Sequence, residues 1–219
     1  MCCIFKSSKL MDIALDIHFL EKDEFKAAGG RWDRDNKTWY IPDGAGLTRF
    51  EKWLSSFGTI VGRPCYVAVS SRSCWKCGAD TPLISLASER ILERYDESET
   101  WESPDENNLV LFFNVSKLPG AVLRPLQQRY PFFQKKYSAT ARQYYFGNTC
   151  IGCGALQGDF FNHCEPDGAF FLLSEEDAEQ VRLVELPLPH DFAIEADCNA
   201  NEFIAAYSHR EPYKGRSVR

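Results

Sequence analysis

The sequence predicts an α+β protein in which a small β-α-β-β-α module precedes a domain built on an antiparallel sheet. Strand-like and helix-like periodicities alternate in the N-terminal part, whereas the later part contains aromatic and β-branched runs typical of strands. The chain has 219 residues, of which 44% are hydrophobic and 14% aromatic, enough for two modest cores. We therefore predict domains at residues 1–62 and 63–201 and a basic C-terminal tail at residues 202–219.

The predicted module begins with a strand at residues 13–20, IALDIHFL, where Leu15, Ile17 and Phe19 alternate with polar residues. A short helix over residues 21–28, EKDEFKAA, follows, and Gly29 stands where a left-handed C-cap is expected. The segments RWD and TWYIP then flank residues 34–37, which we predict to be the turn of a hairpin.

The hairpin is expected to place Trp32, Trp39 and Ile41 on one face and Tyr40 on the other. A last helix over residues 47–57, LTRFEKWLSSF, has its apolar residues at helical spacing. Because a tryptophan ring is costly to leave exposed, we expect the tryptophans to fill the core of the module.

Residues 21–42, EKDEFKAAGGRWDRDNKTWYIP, resemble a small bacterial domain of unknown function with the pattern E-K-x-x-x-K-x-x-G-A-[RK]-W-D-x-x-x-K-x-W-Y-[VI]-P. That domain occurs in plasmid-borne primase-like and other mobile-element proteins, so the resemblance implies a setting of DNA metabolism. The hairpin is also similar, more weakly, to the HARP domain of annealing helicases, which helps recognise branched or single-stranded DNA. Gly30 departs from the pattern, which has alanine there, and we expect this to loosen the packing.

The hairpin has two interpretations. In one, its aromatic residues form only a compact core. In the other, Arg31, Arg34 and Lys37 bind a phosphate backbone while Tyr40, as an exposed ring, stacks on a base.

Two Cys-x-x-Cys-Gly motifs, at residues 74–78 and 150–154, predict a metal site; we call each of them a knuckle. The spacing turns two thiolates toward one ion, and the glycine lets the chain turn beneath the sulfurs. Together Cys74, Cys77, Cys150 and Cys153 predict one structural Zn²⁺ with a closed shell, despite the seventy-two residues between Cys77 and Cys150. The alternative, a redox-active pair, is expected at a helix N-terminus within a βαβ pattern, which neither knuckle has.

Other candidate ligands are weaker, and no catalytic motif accompanies them. His163 and Cys164 follow the second knuckle, but no second motif supports a catalytic metal there. The remaining cysteines have no partner spacing, and free cysteine is commonly a small buried hydrophobe. We therefore expect a protein that is not an enzyme.

The segment from about Ser73 to Leu173 resembles a group of uncharacterised bacterial proteins with C-W-K-C and C-x-x-C-G-A-L-Q-G-D-[FW]-F elements. The resemblance supports one zinc-ribbon-like domain and implies no activity. Its strands are predicted at VLFFNV (110–115), QYYFGN (143–148) and AFFLL (169–173), and its helices at PGAVLRPLQQRY and SEEDAEQV, the second capped by Ser174.

Charge is distributed unevenly in this domain, although the whole chain has a net charge of −6. Residues 93–107 hold seven carboxylates against one arginine and are predicted to form an acidic loop. Residues 116–148 contain no Asp or Glu but six basic residues and many aromatic ones, a mixture suited to stacking on bases while following phosphates. The predicted nucleic-acid contacts in this segment are Arg129, Lys135, Lys136 and Arg142, and the alternative is a core with solvated cations at its rim. The basic tail, with Arg210, Lys214, Arg216 and Arg219, adds a weaker contact.

The function predicted from these features is binding of single-stranded or branched nucleic acid in a bacterial or mobile-element context. A protein-interaction adaptor with a structural zinc is the alternative, and a zinc-dependent enzyme is a third. Nine cysteines without a recognisable signal peptide favour the cytoplasm, and no apolar run reaches the roughly 20 residues that cross a membrane.

Overall fold

The protein is a mixed α+β structure that consists mostly of sheet. The computed structural model describes residues 11–94, 101–103, 108–166 and 168–212, without the side chains of Glu202 and Ala205. The strands are β1 (Ile13–Leu15), β2 (Arg31–Asp33), β3 (Thr38–Ile41), β4 (Thr59–Val61), β5 (Cys65–Ser73), β6 (Asp80–Ser88), β7 (Ile91–Arg94), β8 (Trp101–Glu102), β9 (Val110–Lys117), β10 (Phe133–Ser138), β11 (Gln143–Thr149), β12 (Leu156–Gln157), β13 (Arg182–Leu186), β14 (Asp191–Ala200) and β15 (His209–Glu211). The helices are α1 (Lys22–Ala27), α2 (Glu51–Leu54), α3 (Gly120–Arg129), α4 (Asp159–His163), α5 (Glu175–Glu179) and α6 (Glu202–Tyr207), with 3-10 turns at Phe19–Glu21 and Leu47–Phe50.

Hydrogen bonds link these strands into one continuous network whose main path is β15-β13-β5-β6-β9-β14-β1-β3-β2. Strand β11 pairs with β9 and carries β10 and β12, while β4 pairs with β14 and leads to β7 and β8. The long strand β14 begins parallel to β1, with Ile13 opposite Asp191. From Glu195 onward it pairs antiparallel with β9, with a bulge between Glu195 and Asp197. The N-terminal strands are thus hydrogen-bonded to the rest of the sheet.

Buried apolar side chains form three clusters on the faces of this network. The first lies under β9, β14 and α3, and the second packs α5 and α6 against β5, β6 and β13. The third belongs to the N-terminal segment and contains Phe25, Phe50 and Trp53, whose rings meet edge to face or tilted. Ala193 of β14 also lies in this third cluster, so the later sheet completes the core of the N-terminal segment.

Strand β1 is shorter than its alternating pattern predicts. Ile13, Ala14 and Leu15 are all buried, because β1 has neighbours on both edges and is covered on both faces. The chain leaves the sheet at Asp16, and Phe19 is 70% exposed at the start of a 3-10 turn. The predicted period-two strand through Phe19 is therefore wrong.

The second part of the chain confirms several predicted elements and corrects one. Strands β9 and β11 and helix α3 lie where the sequence places them, and Ser174 caps α5 by accepting a hydrogen bond from Asp177 N–H. Residues 169–173 do not form the predicted strand. Phe170 and Leu172 are instead buried in the second cluster from irregular backbone, so burial alone explains their apolar character.

Some predicted features lie partly or wholly outside the described residues. These are the acidic loop at residues 93–107 in part, and Lys214, Arg216 and Arg219 of the basic tail. The described ends of the predicted loop are not loop but pair as strands β7 and β8, and the start of the predicted tail forms α6 and β15. Within the described part of the chain, Arg210 pairs with Glu89. None of the helices in that part is both long and apolar enough to cross a membrane.

Gly30 makes the packing of the N-terminal core tight, which corrects the expected loosening. A Cβ atom at this position would lie 2.1 Å from Cε1 of Phe25. The Phe25 ring is fully buried and is held by contacts with Trp39, Phe50 and Trp53, so it has little room to move. Glycine lets the backbone pass directly over this ring.

We expect the substitution Gly30→Ala to lower the free energy of unfolding by about 1–3 kcal/mol, because the new methyl group overpacks Phe25. Urea denaturation followed by tryptophan fluorescence measures this change. The control is Gly46→Ala, since a Cβ there meets nothing nearer than Thr48 Oγ1 at 4.0 Å and φ is −66°. Equal stability of the Gly30→Ala variant and the wild type would contradict the packing described.

Candidate metal centre and nucleic-acid surface

The four knuckle cysteines meet at one point. Their sulfur atoms all lie within 4.8 Å of one another, with Cys74 and Cys150 buried and Cys77 and Cys153 exposed. Sγ of Cys74 is 3.7 Å from Sγ of Cys153, and the same distance separates Cys77 from Cys150. The cluster thus lies at the junction of the two knuckles.

The two knuckles have matching backbone geometry. The N–H of Cys74 donates to the carbonyl of Ala79, and the N–H of Cys150 donates to that of Ala155, each over 2.8 Å. The closing glycines, Gly78 and Gly154, have φ values of 73° and 70°, which favour glycine. The first knuckle joins β5 to β6, and the second follows β11, so sheet strands hold both in place.

Hydrogen-bond donors surround the sulfur atoms. Backbone N–H groups of Lys76 and Gly152 point at Cys74 and Cys150 over 3.4 and 3.3 Å. The Thr81 hydroxyl also donates to Cys150 Sγ, and this bond, together with the backbone N–H groups of Cys153 and Gly152, lowers the pKa of the Cys150 thiol to about 6. Such donors stabilise thiolates, which are the form of cysteine that binds metal.

The sulfur geometry fits a metal ion shared by both knuckles. Four sulfurs at about 2.3 Å from a tetrahedral ion lie about 3.8 Å from each other, and the two distances of 3.7 Å come close to this. Both of these distances join one knuckle to the other, whereas a redox pair would bring together the two cysteines of one motif. The four cysteines can therefore hold one metal ion.

The hairpin of β2 and β3 exposes the predicted cations, but the burial of Trp32 and of Tyr40 is the reverse of the expectation. Arg31, Arg34 and Lys37 are exposed. Trp32 pairs with Trp39 across the hairpin and is 44% exposed, whereas Tyr40 is half-buried and stacks on His190 with ring centroids 4.8 Å apart. The expectation that Trp32 is core and Tyr40 exposed is therefore wrong, because His190, far away in the sequence, covers Tyr40.

The hairpin of β10 and β11 separates its aromatic residues into buried and exposed sets. The rings of Tyr130, Phe133 and Tyr145 are buried. Tyr137 and Tyr144 pair across the strands, are 52% and 62% exposed, and hold their ring centroids 5.1 Å apart.

The four cations predicted to contact nucleic acid between residues 116 and 148 are all exposed, but they lie on different elements. Arg129 ends α3, and Lys136 and Arg142 lie on the β10–β11 hairpin. Lys135 stands over the Phe146 ring and lines a groove of about 520 Å³ together with Lys52 and Lys117.

A contact through Arg124 places the two predicted cationic segments near each other. Arg124 of α3 donates to the carbonyl of Asn36 in the β2–β3 turn over 2.8 Å. The turn that carries Arg34 and Lys37 thus lies beside the helix that ends at Arg129.

The sequence-based interpretation missed Trp75, which lies between the cysteines of the first knuckle. This ring is 71% exposed, yet its Nε1–H donates to the Leu156 carbonyl over 2.8 Å. An exposed tryptophan with its polar atom already bonded is fixed in orientation. The sequence does contain a signal for this residue. A knuckle can form with a small or polar residue between its cysteines, so a tryptophan there indicates a further role.

His163 and Cys164 are separate from the four-sulfur cluster among the described residues. His163 is buried between Phe113 and Phe170, with ring centroids 5.0 and 4.9 Å away, and burial lowers its pKa to about 3. Asp159 is buried on the same short helix, where it accepts the Asn114 N–H over 2.8 Å. Burial raises the pKa of Asp159 to about 7.

Comparison with known proteins identifies only the N-terminal segment. Residues 13–55 match the profile of a family described as a domain of unknown function, DUF5710. Two proteins named DNA primase TraC, both from Escherichia coli, are similar to this chain, with 51% identity over 45 residues and 38% over 50 residues. These matches cover 20% and 23% of this chain and 4% of each primase, so the chain spans a small part of the relatives it matches. No solved structure matches significantly.

The predicted resemblance of the N-terminal segment to a domain of unknown function is therefore confirmed. The matched residues end before the first knuckle. The likeness of the later part to zinc-ribbon-like proteins stays a prediction.

We expect the purified protein to contain one metal ion per chain and the Cys77→Ser variant to lose it, because three thiolates and a hydroxyl bind such an ion far more weakly. Native mass spectrometry measures the mass difference. Cys164→Ser is the matched control, since Cys164 is a free cysteine outside the cluster. A metal-free wild type, or a disulfide between knuckle cysteines in fresh protein, would contradict the site.

We expect Asp159 to make the stability depend on pH. Its pKa is about 7 in the folded protein and about 3.9 in the unfolded chain, so its contribution is present below pH ~4 and is lost as the pH rises to ~7. The Asp159→Asn variant keeps an acceptor for Asn114 and should gain on the order of 4 kcal/mol relative to the wild type between pH 4 and pH 8, because about three pH units at ~1.4 kcal/mol each separate the two pKa values.

Urea denaturation at each pH checks this expectation. Asp35→Asn, at an exposed position in the β2–β3 turn, serves as the control. A constant difference between Asp159→Asn and the wild type over this pH range would show that Asp159 is not the group responsible.

Proposed function

We propose that this protein is a non-enzymatic zinc protein that binds single-stranded or branched nucleic acid. The observation that carries the proposal is the exposed Tyr137–Tyr144 pair, which lies on a hairpin with the exposed cations Lys135, Lys136 and Arg142. Exposed rings stack on bases of any sequence, and neighbouring cations contact phosphates. The chain has a net charge of −6, so this local arrangement, and not the overall charge, supports binding.

Zinc is the metal we assign to the four-sulfur cluster. Four cysteine thiolates in tetrahedral arrangement are typical of structural Zn²⁺ sites, and iron–sulfur clusters need the same ligands but other spacings. Cys74, Cys77, Cys150 and Cys153 complete the coordination shell, which leaves no position for a reactive water. The zinc would then hold two hairpin tips together in a zinc-ribbon-like way, which supports a role other than catalysis.

The N-terminal hairpin supplies a second set of contacts in this proposal. Arg31, Arg34 and Lys37 are exposed, and Trp32 offers a partly exposed ring beside them. Arg129 ends the helix whose Arg124 bonds to the hairpin turn. A domain found in primase-like and mobile-element proteins, with similarity to DNA primase TraC, supports a cytoplasmic setting of DNA metabolism.

Two other functions make different predictions. A protein-interaction adaptor would use the zinc site only as a scaffold and would show no salt-dependent affinity for oligonucleotides. A zinc-dependent enzyme would need an open coordination position, which metal spectroscopy would detect as a bound water.

We expect a fluorescein-labelled oligo(dT) of 12 nucleotides to bind at about 50 mM salt, with an affinity that falls steeply as the salt concentration rises. Removing two phosphate contacts in a Lys135→Gln/Arg142→Gln variant, where Lys135 shares the hairpin face of Tyr137 and Tyr144, should weaken binding and reduce the slope of log K against log[salt] by about 1.4. Fluorescence anisotropy measures both quantities.

The control for this experiment changes the net charge equally at another place. Arg49→Gln/Arg182→Gln removes two exposed cations outside the β2–β3 and β10–β11 hairpins, on the 3-10 turn before α2 and on β13. The proposal fails if the wild type does not bind, if binding is independent of salt, or if this control loses as much affinity as the hairpin variant.

A further inference from the structure

A cleft of about 660 Å³ opens beside the cysteine cluster. Its walls come from the end of β5 and the first knuckle, from the tip of the β10–β11 hairpin, and from the segment between the second knuckle and α4. The side chains that matter most are Arg72, Trp75, Lys76, Tyr137, Phe161 and Asn162. Neither comparison nor motif assigns a role to this cleft.

Three aromatic rings line the cleft and remain exposed to solvent. Trp75, Tyr137 and Phe161 are 71%, 52% and 55% exposed. Leaving three large rings exposed around one concave site costs hydration free energy, and such patches commonly mark binding sites. The cleft is therefore suited to a flat apolar ligand.

The Trp75 ring is held in place before any ligand arrives. Its Nε1–H donates to the carbonyl of Leu156 in β12, the strand that follows the second knuckle in the chain. A ring fixed in this way loses little conformational entropy on binding. The first knuckle also contributes Lys76 to the cleft, so the metal site and the cleft share a backbone frame.

The charges in the cleft have one sign. Among the described residues that line it, Arg72 and Lys76 are charged and no carboxylate is present. The Arg72 guanidinium is held by Asn162 Oδ1 over 3.2 Å and by the Phe161 carbonyl over 3.4 Å. In a chain with a net charge of −6, a cleft with two cations favours an anionic ligand.

We propose that this cleft binds one unstacked nucleobase of a single-stranded nucleic acid, with the base on the Trp75 or Phe161 ring and the adjacent phosphate near Arg72 and Lys76. This inference rests on the proposed function and adds a defined base-binding site to it. Aromatic rings recognise the base and cations recognise the phosphate, which is the combination that single strands require. The exposed Tyr144 then continues the stacking surface beyond Tyr137 along the hairpin.

The experiment compares matched aromatic and apolar positions. Trp75→Ala and Phe161→Ala remove rings from the cleft. Ile151→Ala changes the equivalent position of the second knuckle, which is 64% exposed, and Phe160→Ala removes a ring that is 53% exposed next to Phe161. Neither Ile151 nor Phe160 lines the cleft.

Two probes separate base contacts from phosphate contacts. One is the labelled oligo(dT) of 12 residues, and the other is the same strand with all central bases replaced by abasic sites, which keeps the phosphates. We expect Trp75→Ala and Phe161→Ala each to weaken binding of oligo(dT) by about 5-fold or more. We expect the same variants to bind the abasic strand as the wild type does, and the two control variants to bind both strands normally.

Each other outcome overturns the inference in an identifiable way. If the wild type does not bind oligo(dT), the proposed function and this site both fail. If it binds but the cleft variants bind equally well, the function stands and the cleft is not the base site, which leaves a protein ligand for it. If the cleft variants lose affinity for both strands equally, the cleft contacts the backbone and not a base.

Folding of the variants is checked independently. Native mass spectrometry reports the bound metal, and thermal denaturation reports stability. If Trp75→Ala loses its metal, the result rests on Phe161→Ala, because Phe161 lies outside both knuckles. The Trp75→Phe variant should restore most of the affinity for oligo(dT), because it restores a stacking surface.

Discussion

The meeting of the four cysteine sulfurs is the contact on which the later part of this structure depends. Cys77 and Cys150 are 73 positions apart in the chain, yet their sulfur atoms are 3.7 Å apart. The sheet prepares this contact, because the side-chain amide of Asn148 exchanges two hydrogen bonds of 2.9 Å with the backbone of Ile84 and so joins β11 to β6. Thiolates this close repel each other. A bound cation would offset this repulsion and stabilise the junction of the two hairpins.

Strand β14 joins the N-terminal segment to the rest of the sheet. It pairs with β1 and β4 through its first residues and with β9 through its last ones, and its Ala193 lies in the N-terminal core. Just before it, His190 bonds to Asp33 of the β2–β3 hairpin over 2.7 Å and covers Tyr40. The segment that matches a known family is thus fixed to the body of the protein by residues near the end of the chain.

The sequence predicts features that depend on local chemistry and misses those that depend on distant neighbours. Knuckle spacing identifies all four cysteines, and capping and periodicity identify α3 and α5, because each signal lies within a few residues. The burial of Tyr40 is decided by His190, and the burial of all three residues of β1 by neighbouring strands on both of its edges. The cleft at Trp75 could not be predicted, since its walls come from three segments that only the folded sheet brings together.

The two knuckles show how one backbone frame can serve two purposes. Their turn hydrogen bonds and closing glycines match, but the residues between the cysteines differ, with Trp75 and Lys76 in the first knuckle and Ile151 and Gly152 in the second. Metal binding requires only the cysteines and the turn, so the intervening positions are free to vary. The first knuckle uses them for a fixed ring and a cation that line the cleft. At Gly152 of the second knuckle, a Cβ atom would lie 3.6 Å from Cβ of Ala79 and 3.8 Å from Sγ of Cys150. Loss of the metal would therefore release Trp75 from Leu156, because that bond spans the junction that the four sulfurs close. In the proposed function, the metal would not contact the nucleic acid itself but would fix the surface that does.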